Sequence, residues 1–396
     1  MADSVMHEYT QELYDEIWSI AGRDYEQDYD SGEVLEKLND PNFFRPFSER
    51  LLAFYNEALN SNFTADEARA DLQRRVKLGN IPLNRGNITN WFSGNTEPKY
   101  GDNDRKNLFA VAFALELDAK QTERLFHKVF LDKAFNKRNA HEFIYLYCIN
   151  RGRPLSVAEM LIGQLDGIDK SNMPADQTQR TQFLADAARH DMGEDDLLKF
   201  ISEHPKNFSL NNTAAKEKRD ALLDRLKGSA GKPGLAQQEY ERRRDELADD
   251  KEKTTGSDGR DAKSVDFLLY MIMGVDLAQK KDNKILSIRE RFPRKEISNQ
   301  FPDKLTLSAK DPSSYVLRKD IILLSFYDYW VSDYLSSENS GDYDSFVEGL
   351  NDVLYECGFS PLYAGNPYDW LFLYCSACAD DGYTPLDRFR GILAQG

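Results

Sequence analysis

The chain has 396 residues, enough for two or three domains of ~100–200 residues each. Its 41% apolar and 12% aromatic content excludes long-range disorder, and no apolar run approaches the ~18–20 residues of a bilayer span, so no membrane partner is expected. The net charge of -16 would repel nucleic acid and anionic membrane alike, so any nucleic-acid contact must come from a local basic surface.

The start, Met1-Ala2-Asp3-Ser4, has no basic region ahead of an apolar stretch, so no signal peptide is expected. Four cysteines in so long a chain do not make a disulfide framework. Both points favour a reducing, cytoplasmic setting.

Helical periodicity dominates from the start of the chain, and hairpin signals are nearly missing. An all-α, multi-helical protein is predicted. Leu13, Ile17 and Trp18 mark a helix over 9–20, and Leu51, Leu52, Tyr55 and Leu59 mark one over 47–59. A helix over 66–77 carries Leu72 and Val76 on one face, and Asn80-Ile81-Pro82 breaks it. Asn84 then caps a short helix reaching Trp91 or Phe92. Gly94 suits a left-handed stop, and Pro98 prevents quick resumption. Asn103 or Asp104 caps a helix over 105–117 with Leu108, Val111, Ala112 and Leu115 as its apolar stripe. Asp118 starts another, with Leu125 and Phe126 inward. Two helices follow, around 181–189 and 194–203.

Residues 227–260 are the poorest in apolar side chains. Glycines and Pro233 punctuate this stretch around a charged run, 239–253, which reads as a linker with a solvated helix in its middle. The resulting division is N-terminal helices at 1–63, a first module at 64–165, intervening helices at 166–226, a charged linker at 227–262 and a second module at 263–396.

The two modules are read as divergent copies of one another. Arg85-x-x-Ile88-Thr89-Asn90 is matched by Arg294-x-x-Ile297-Ser298-Asn299. Arg105-Lys106 is matched by Arg318-Lys319, and Pro154-Leu155 by Pro385-Leu386. Asn139, Glu142-Phe143 and Leu146-Tyr147-Cys148 are matched by Asn366, Asp369-Trp370 and Leu373-Tyr374-Cys375. Chance similarity of helix composition would reproduce apolar positions, but not these polar ones in the same order. Duplication predicts paired burial of Ile88 with Ile297, Leu146 with Leu373, Cys148 with Cys375 and Phe143 with Trp370. Glu142 and Asp369 are expected to favour the N-terminal dipole of their helices.

The first module is locally basic. Between positions 69 and 99 stand Arg69, Arg74, Arg75, Lys77, Arg85 and Lys99, against only Asp71 and Glu97. The pattern Arg85-x-x-Ile88-x-x-Trp91-x-x-Gly94-x-x-x-Pro98, followed by the apolar helix, resembles the Cro/repressor (XRE-type) helix-turn-helix family over about residues 66–126. That resemblance implies that the helix before the Trp-x-x-Gly turn enters the major groove of DNA. The chain departs from the family in the connection 78–83, which is longer than the family's tight turn and contains Pro82.

A helix reading base edges needs donors and acceptors. Asn suits adenine and Arg suits guanine, and this segment offers Asn84, Arg85, Asn87, Thr89 and Asn90. Ile88 and Trp91 would hold the helix down, while Lys77 and Lys99 reach phosphates. The second copy has Phe301-Pro302-Asp303-Lys304 in place of the turn, yet keeps Arg291, Arg294, Lys295 and Asn299. It reads either as a second DNA contact or, slightly favoured, as a degenerate copy for packing or self-association.

No catalytic motif is present, so no enzyme activity and no cofactor are expected. Cys375 and Cys378 make a Cys-x-x-Cys pair, but Cys375 stands where the first copy has the lone Cys148, so core cysteines and no metal are expected. The expected function is a bacterial-type regulator binding duplex DNA sequence-specifically through helix 84–92, with a homodimer or a protein as further partner. The alternative is a non-catalytic helical scaffold that holds protein and not DNA.

Overall fold

The computed structural model describes residues 31–98, 102–136, 139–166, 192–204, 208, 213–229, 231–243, 264–274, 280–281, 284–285, 297, 301, 316–336, 341–377 and 384–395. The expected helices 9–20 and 181–189 lie outside these residues, as do Lys99, Arg291, Arg294, Lys295, Asn299 and Cys378. Among the described residues the protein is helical apart from two pairs of two-residue strands, β1 (Gly228–Ser229) with β2 (Lys232–Pro233) and β3 (Lys280–Lys281) with β4 (Lys284–Ile285). No helix among them is long and apolar enough to cross a membrane.

The chain divides into a continuous unit, 45–213, and a split unit built from 1–44 and 214–396. This differs from the division expected from composition. Helix 47–59 packs with the first module, and the intervening stretch is cut near 213. Composition marks a segment as polar or apolar, but which core it joins depends on contacts distant in sequence.

In the continuous unit, α2 (Phe47–Leu59) ends at Asn60 in the left-handed conformation. Helix α3 (Ala65–Leu78) opens on a reciprocal cap, in which Glu67 N–H donates to Thr64 Oγ1 at 3.3 Å and Thr64 N–H donates to Glu67 Oε2 at 2.8 Å. Ala68, Leu72 and Val76, spaced by four, are its buried stripe. Then follow α4 (Arg85–Phe92), α5 (Asp102–Ala114) and α6 (Ala119–Leu125), which runs into a π-helical turn at Phe126–Phe130. Helix α7 (Ala140–Asn150) is buried almost all round, as its apolar sequence requires, and α8 (Leu155–Asp166) and α9 (Glu194–Glu203) close the core.

In the split unit, α1 (Ser31–Asn39) packs on the last helix of the chain, α16 (Pro385–Gln395). Between them in sequence come α10 (Thr213–Lys227), α11 (Leu235–Arg242), α12 (Val265–Met273), α13 (Arg318–Leu335), α14 (Tyr343–Glu356) and α15 (Pro367–Ala377). The expected linker therefore contains β1, β2 and α11. Helix α11 is exposed at Glu241 and Arg242 but buries Glu239 completely, and the rest of the charged run, 244–253, lies outside the described residues. Arg390 of α16 donates to both Glu239 oxygens, at 2.8 and 3.0 Å, and the Tyr327 hydroxyl donates to Oε2 at 2.7 Å. A buried carboxylate is tolerated because it is paired and hydrogen-bonded.

The duplication is visible in the hydrogen bonds. In the continuous unit Arg105 Nε and Nη2 donate to the two Glu142 oxygens at 2.7 and 2.9 Å. Nη2 also reaches the carbonyls of Lys133 and Ala134, and Asn136 N–H donates to Glu142 Oε2. In the split unit Arg318 Nη1 and Nη2 donate to the two Asp369 oxygens at 2.7 and 2.6 Å. The carbonyls of Ser360 and Pro361 accept from the same guanidinium, and Tyr363 N–H donates to Asp369 Oδ2. The loop groups stand at the same distances in sequence from the acid in both copies. Asn139 and Asn366 each cap the following helix, and Leu131 and Gly358 both take the left-handed conformation before the loop. Ile88 and Ile297, Phe143 and Trp370, Leu146 and Leu373, and Cys148 and Cys375 are all buried. The acid is thus more than a dipole partner, because it anchors an arginine from the first turn of an earlier helix and fixes the loop between.

Candidate nucleic-acid interface

The site centres on α4 and the helices that brace it. Asn84 Oδ1 accepts from Gly86 N–H at 2.6 Å, closing the N-terminus of the helix. At the other end Gly94 has φ +70°, and a side chain there would be strained as well as close to Ser48. Ile88, Trp91 and Phe92 are buried. Trp91 packs edge-on to Phe47 of α2 at 5.8 Å between centroids, and Phe92 packs edge-on to Tyr55 at 5.8 Å. These two aromatic pairs fix the rotation of α4, so its opposite face carries Gly86 and Asn90, flanked by Arg85 and Thr89 on one edge and Asn87 on the other.

The expected site residues fall into three groups. Arg85 is exposed, Asn87 and Asn90 are half-buried, and the two Asn side chains make no hydrogen bond among the described residues. Lys77 is exposed in the last turn of α3. Among the described residues no carboxylate pairs with Arg85 or Lys77. Asn84 and Thr89 are engaged in hydrogen bonds within the protein, although Asn84 is exposed and Thr89 half-buried. Asn84 is occupied as the cap, while the Thr89 hydroxyl donates to the Arg85 carbonyl at 3.0 Å and accepts from Gln73 Nε2 at 3.0 Å. An exposed polar residue on a short helix looks the same in sequence whether it reads a ligand or ties two helices together. Replacing Asn84 with Ala is expected to lower stability by ~1 kcal/mol through loss of the cap. A urea melt checks this, and an unchanged midpoint excludes the capping role.

The rest of the basic window is partly neutralised. Arg69 pairs with Asp66 at 3.0 Å, and Arg74 and Arg75 both pair with Asp71. Tyr55 donates to Asp71 Oδ2 at 2.7 Å, tying α2 to α3 behind the site. Burial alone would raise the Asp71 carboxyl, but hydrogen bonds from Arg75, Tyr55 and Arg74 outweigh it and hold the group at about 2. A folded value below the unfolded one stabilises the fold at pH above the unfolded value near 4, and that stability is lost as pH falls towards 2. Urea midpoints of the wild type and Asp71→Asn should therefore differ at pH 6 and converge near pH 2, and a gap that does not narrow refutes the assignment. Sequence reasoning placed Tyr55 on an apolar stripe but missed its bond to Asp71, and missed Gln73 altogether. Their only signal was position on the inner faces of α2 and α3.

Positions 72–96 contain no acidic residue, while four basic ones, Arg74, Arg75, Lys77 and Arg85, stand there. In a chain of net charge -16 this is the longest stretch without an acid, which suits a polyanion. The described cysteines lie in the core. Cys148, Cys357 and Cys375 are buried, and burial pushes the thiols of Cys148 and Cys357 up to about 12. Among the described residues no cluster of three His, Cys, Asp or Glu is placed to hold a metal ion. No known family matches the chain, and no curated protein or solved structure is significantly similar to it.

Proposed function

We propose that the continuous unit is a helix-turn-helix-type DNA-binding unit and that the protein is a regulator binding duplex DNA through α4. The observation that carries this reading is the outer face of α4 with its two edges. Arg85, Asn87 and Asn90 are presented on a helix whose other face is locked by Trp91 and Phe92, within a stretch free of acid. Arg and Asn are the side chains that pair bidentately with guanine and adenine edges in the major groove. Lys77 supplies a phosphate contact beside it. Thr89 and Asn84 support the helix and read no base. Dimerisation and a protein partner for the split unit belong to the same proposal, since one short helix covers too few base pairs to specify an operator.

Selection from a random duplex library tests it. A preferred sequence should emerge, and Arg85→Ala and Asn87→Ala should each weaken binding to it by ~1–3 kcal/mol without moving the thermal melt. If no sequence is enriched, the reading fails and a scaffold for protein partners takes its place.

A further inference from the structure

Gln73, on α3, closes a ring of hydrogen bonds with the first turn of α4. The Thr89 hydroxyl donates its one proton to the Arg85 carbonyl at 3.0 Å. Towards Gln73 it has only a lone pair to offer, so the Gln73 amide must present its NH2, which it does at 3.0 Å. The amide oxygen then points the other way, where Arg85 Nη2 donates to it at 3.3 Å. The reverse orientation of the amide would set oxygen against an oxygen with no free proton and NH2 against a guanidinium. The chemistry of the three groups therefore fixes the amide, and the amide fixes the guanidinium relative to its own backbone carbonyl.

Arg85 is the first residue of α4 and is exposed. A free arginine there would sample many rotamers and lose them on binding. The ring uses one of its five N–H donors, and the other four have no partner among the described residues. From this closure we infer that Gln73 is a positioning residue for base recognition: it holds Arg85 in the orientation that reads one guanine of a duplex. The inference rests on the DNA-binding reading above. Gln73 itself touches no base.

The full-length chain carrying Gln73→Met, Thr89→Val or both is compared with the wild type on the duplex selected by the wild type. A second duplex has the guanine facing Arg85 replaced, and a third is of unrelated sequence. Met keeps the length of Gln and removes both hydrogen bonds. Each single variant should lose roughly 5- to 10-fold of the discrimination between the first two duplexes, part of what a bidentate Arg–guanine pair supplies. Affinity for the unrelated duplex and the salt slope should not move. The double variant should be no worse than either single one, because both break the same ring. In an Arg85→Ala background, Gln73→Met should have no effect on discrimination. A merely structural Gln73 would lower the melting temperature and weaken all three duplexes alike, and that result overturns the inference. Full discrimination by Gln73→Met also overturns it. If the wild type itself prefers no duplex, the DNA reading falls and the inference with it. The ring is read separately, from slowed exchange of the Gln73 side-chain amide protons in the free protein, so the two failures are distinguishable.

Discussion

Replacing Glu239 with Ala should destabilise the split unit by about 3–5 kcal/mol, the cost of leaving one member of a buried ion pair without its partner. Glu239 is fully buried on α11 and receives Arg390 through two hydrogen bonds, the Tyr327 hydroxyl, and Arg243 at 3.4 Å. Arg390 also donates to the Met271 carbonyl, and Arg243 pairs with Asp387 at 2.9 Å, so one carboxylate joins α11, α12, α13 and α16. Removing it strands the Arg390 cation next to a tyrosine hydroxyl. Because α11 is only eight residues long, losing this link should also open a protease site at Arg242 and Arg243. Urea unfolding and limited trypsin digestion read the two effects. Glu239→Ala combined with Arg390→Met should recover part of the loss, since a missing pair is less harmful than a half pair. The exposed neighbour Glu241→Ala should fall within about 0.5 kcal/mol of the wild type. If Glu239→Ala and Glu241→Ala behave alike, α11 is not held through Glu239.

Arg105→Met should cost the continuous unit a similar amount, about 3–5 kcal/mol. The Arg105 side chain is 13% exposed and that of Glu142 is 9% exposed, so neither charge is screened by bulk water. Loss of the guanidinium also removes one partner of Asp132 and one donor to each of two loop carbonyls. The same substitution at the duplicated position, Arg318→Met, should destabilise the split unit comparably, because Asp369 is wholly buried and Arg318 donates to the corresponding loop carbonyls. Unfolding followed separately for each unit, with a tryptophan reporter such as Trp91 or Trp370, checks the symmetry. A large effect at one arginine and none at the other would mean that the two copies no longer share the device.

Much of this architecture was legible in the sequence, for reasons that can be named. Local rules found α2 and α9 at their observed limits, the Asn84 cap and the left-handed Gly94, because caps and apolar spacing act within a few residues. The repeat was legible because its polar members are tied together in each copy. Arg105 needs Glu142 and Arg318 needs Asp369, so neither drifts freely. What the sequence hid was partnership across long separations. Glu239 looks like one more charge in a charged run until Arg390 is beside it, 151 residues on. Thr89 looked like a base reader because its partner Gln73 lies on another helix. In both cases a polar side chain was read as open to water or to DNA, while in the fold it has a hydrogen-bond partner distant in sequence.

The most direct test of the central claim is the salt dependence of duplex binding by the full-length chain. Neutralising phosphates releases counterions, so affinity must fall as salt rises. With contacts from Lys77, Arg85 and their neighbours on α3, fluorescence anisotropy with a labelled duplex should show Kd weakening roughly tenfold or more between 50 and 200 mM salt. Lys77→Ala should flatten that slope, and Arg85→Ala should weaken the preference for the selected sequence. Binding that is absent at 50 mM salt, or that is present and indifferent to salt, would contradict the account and leave α4 without a nucleic acid to read.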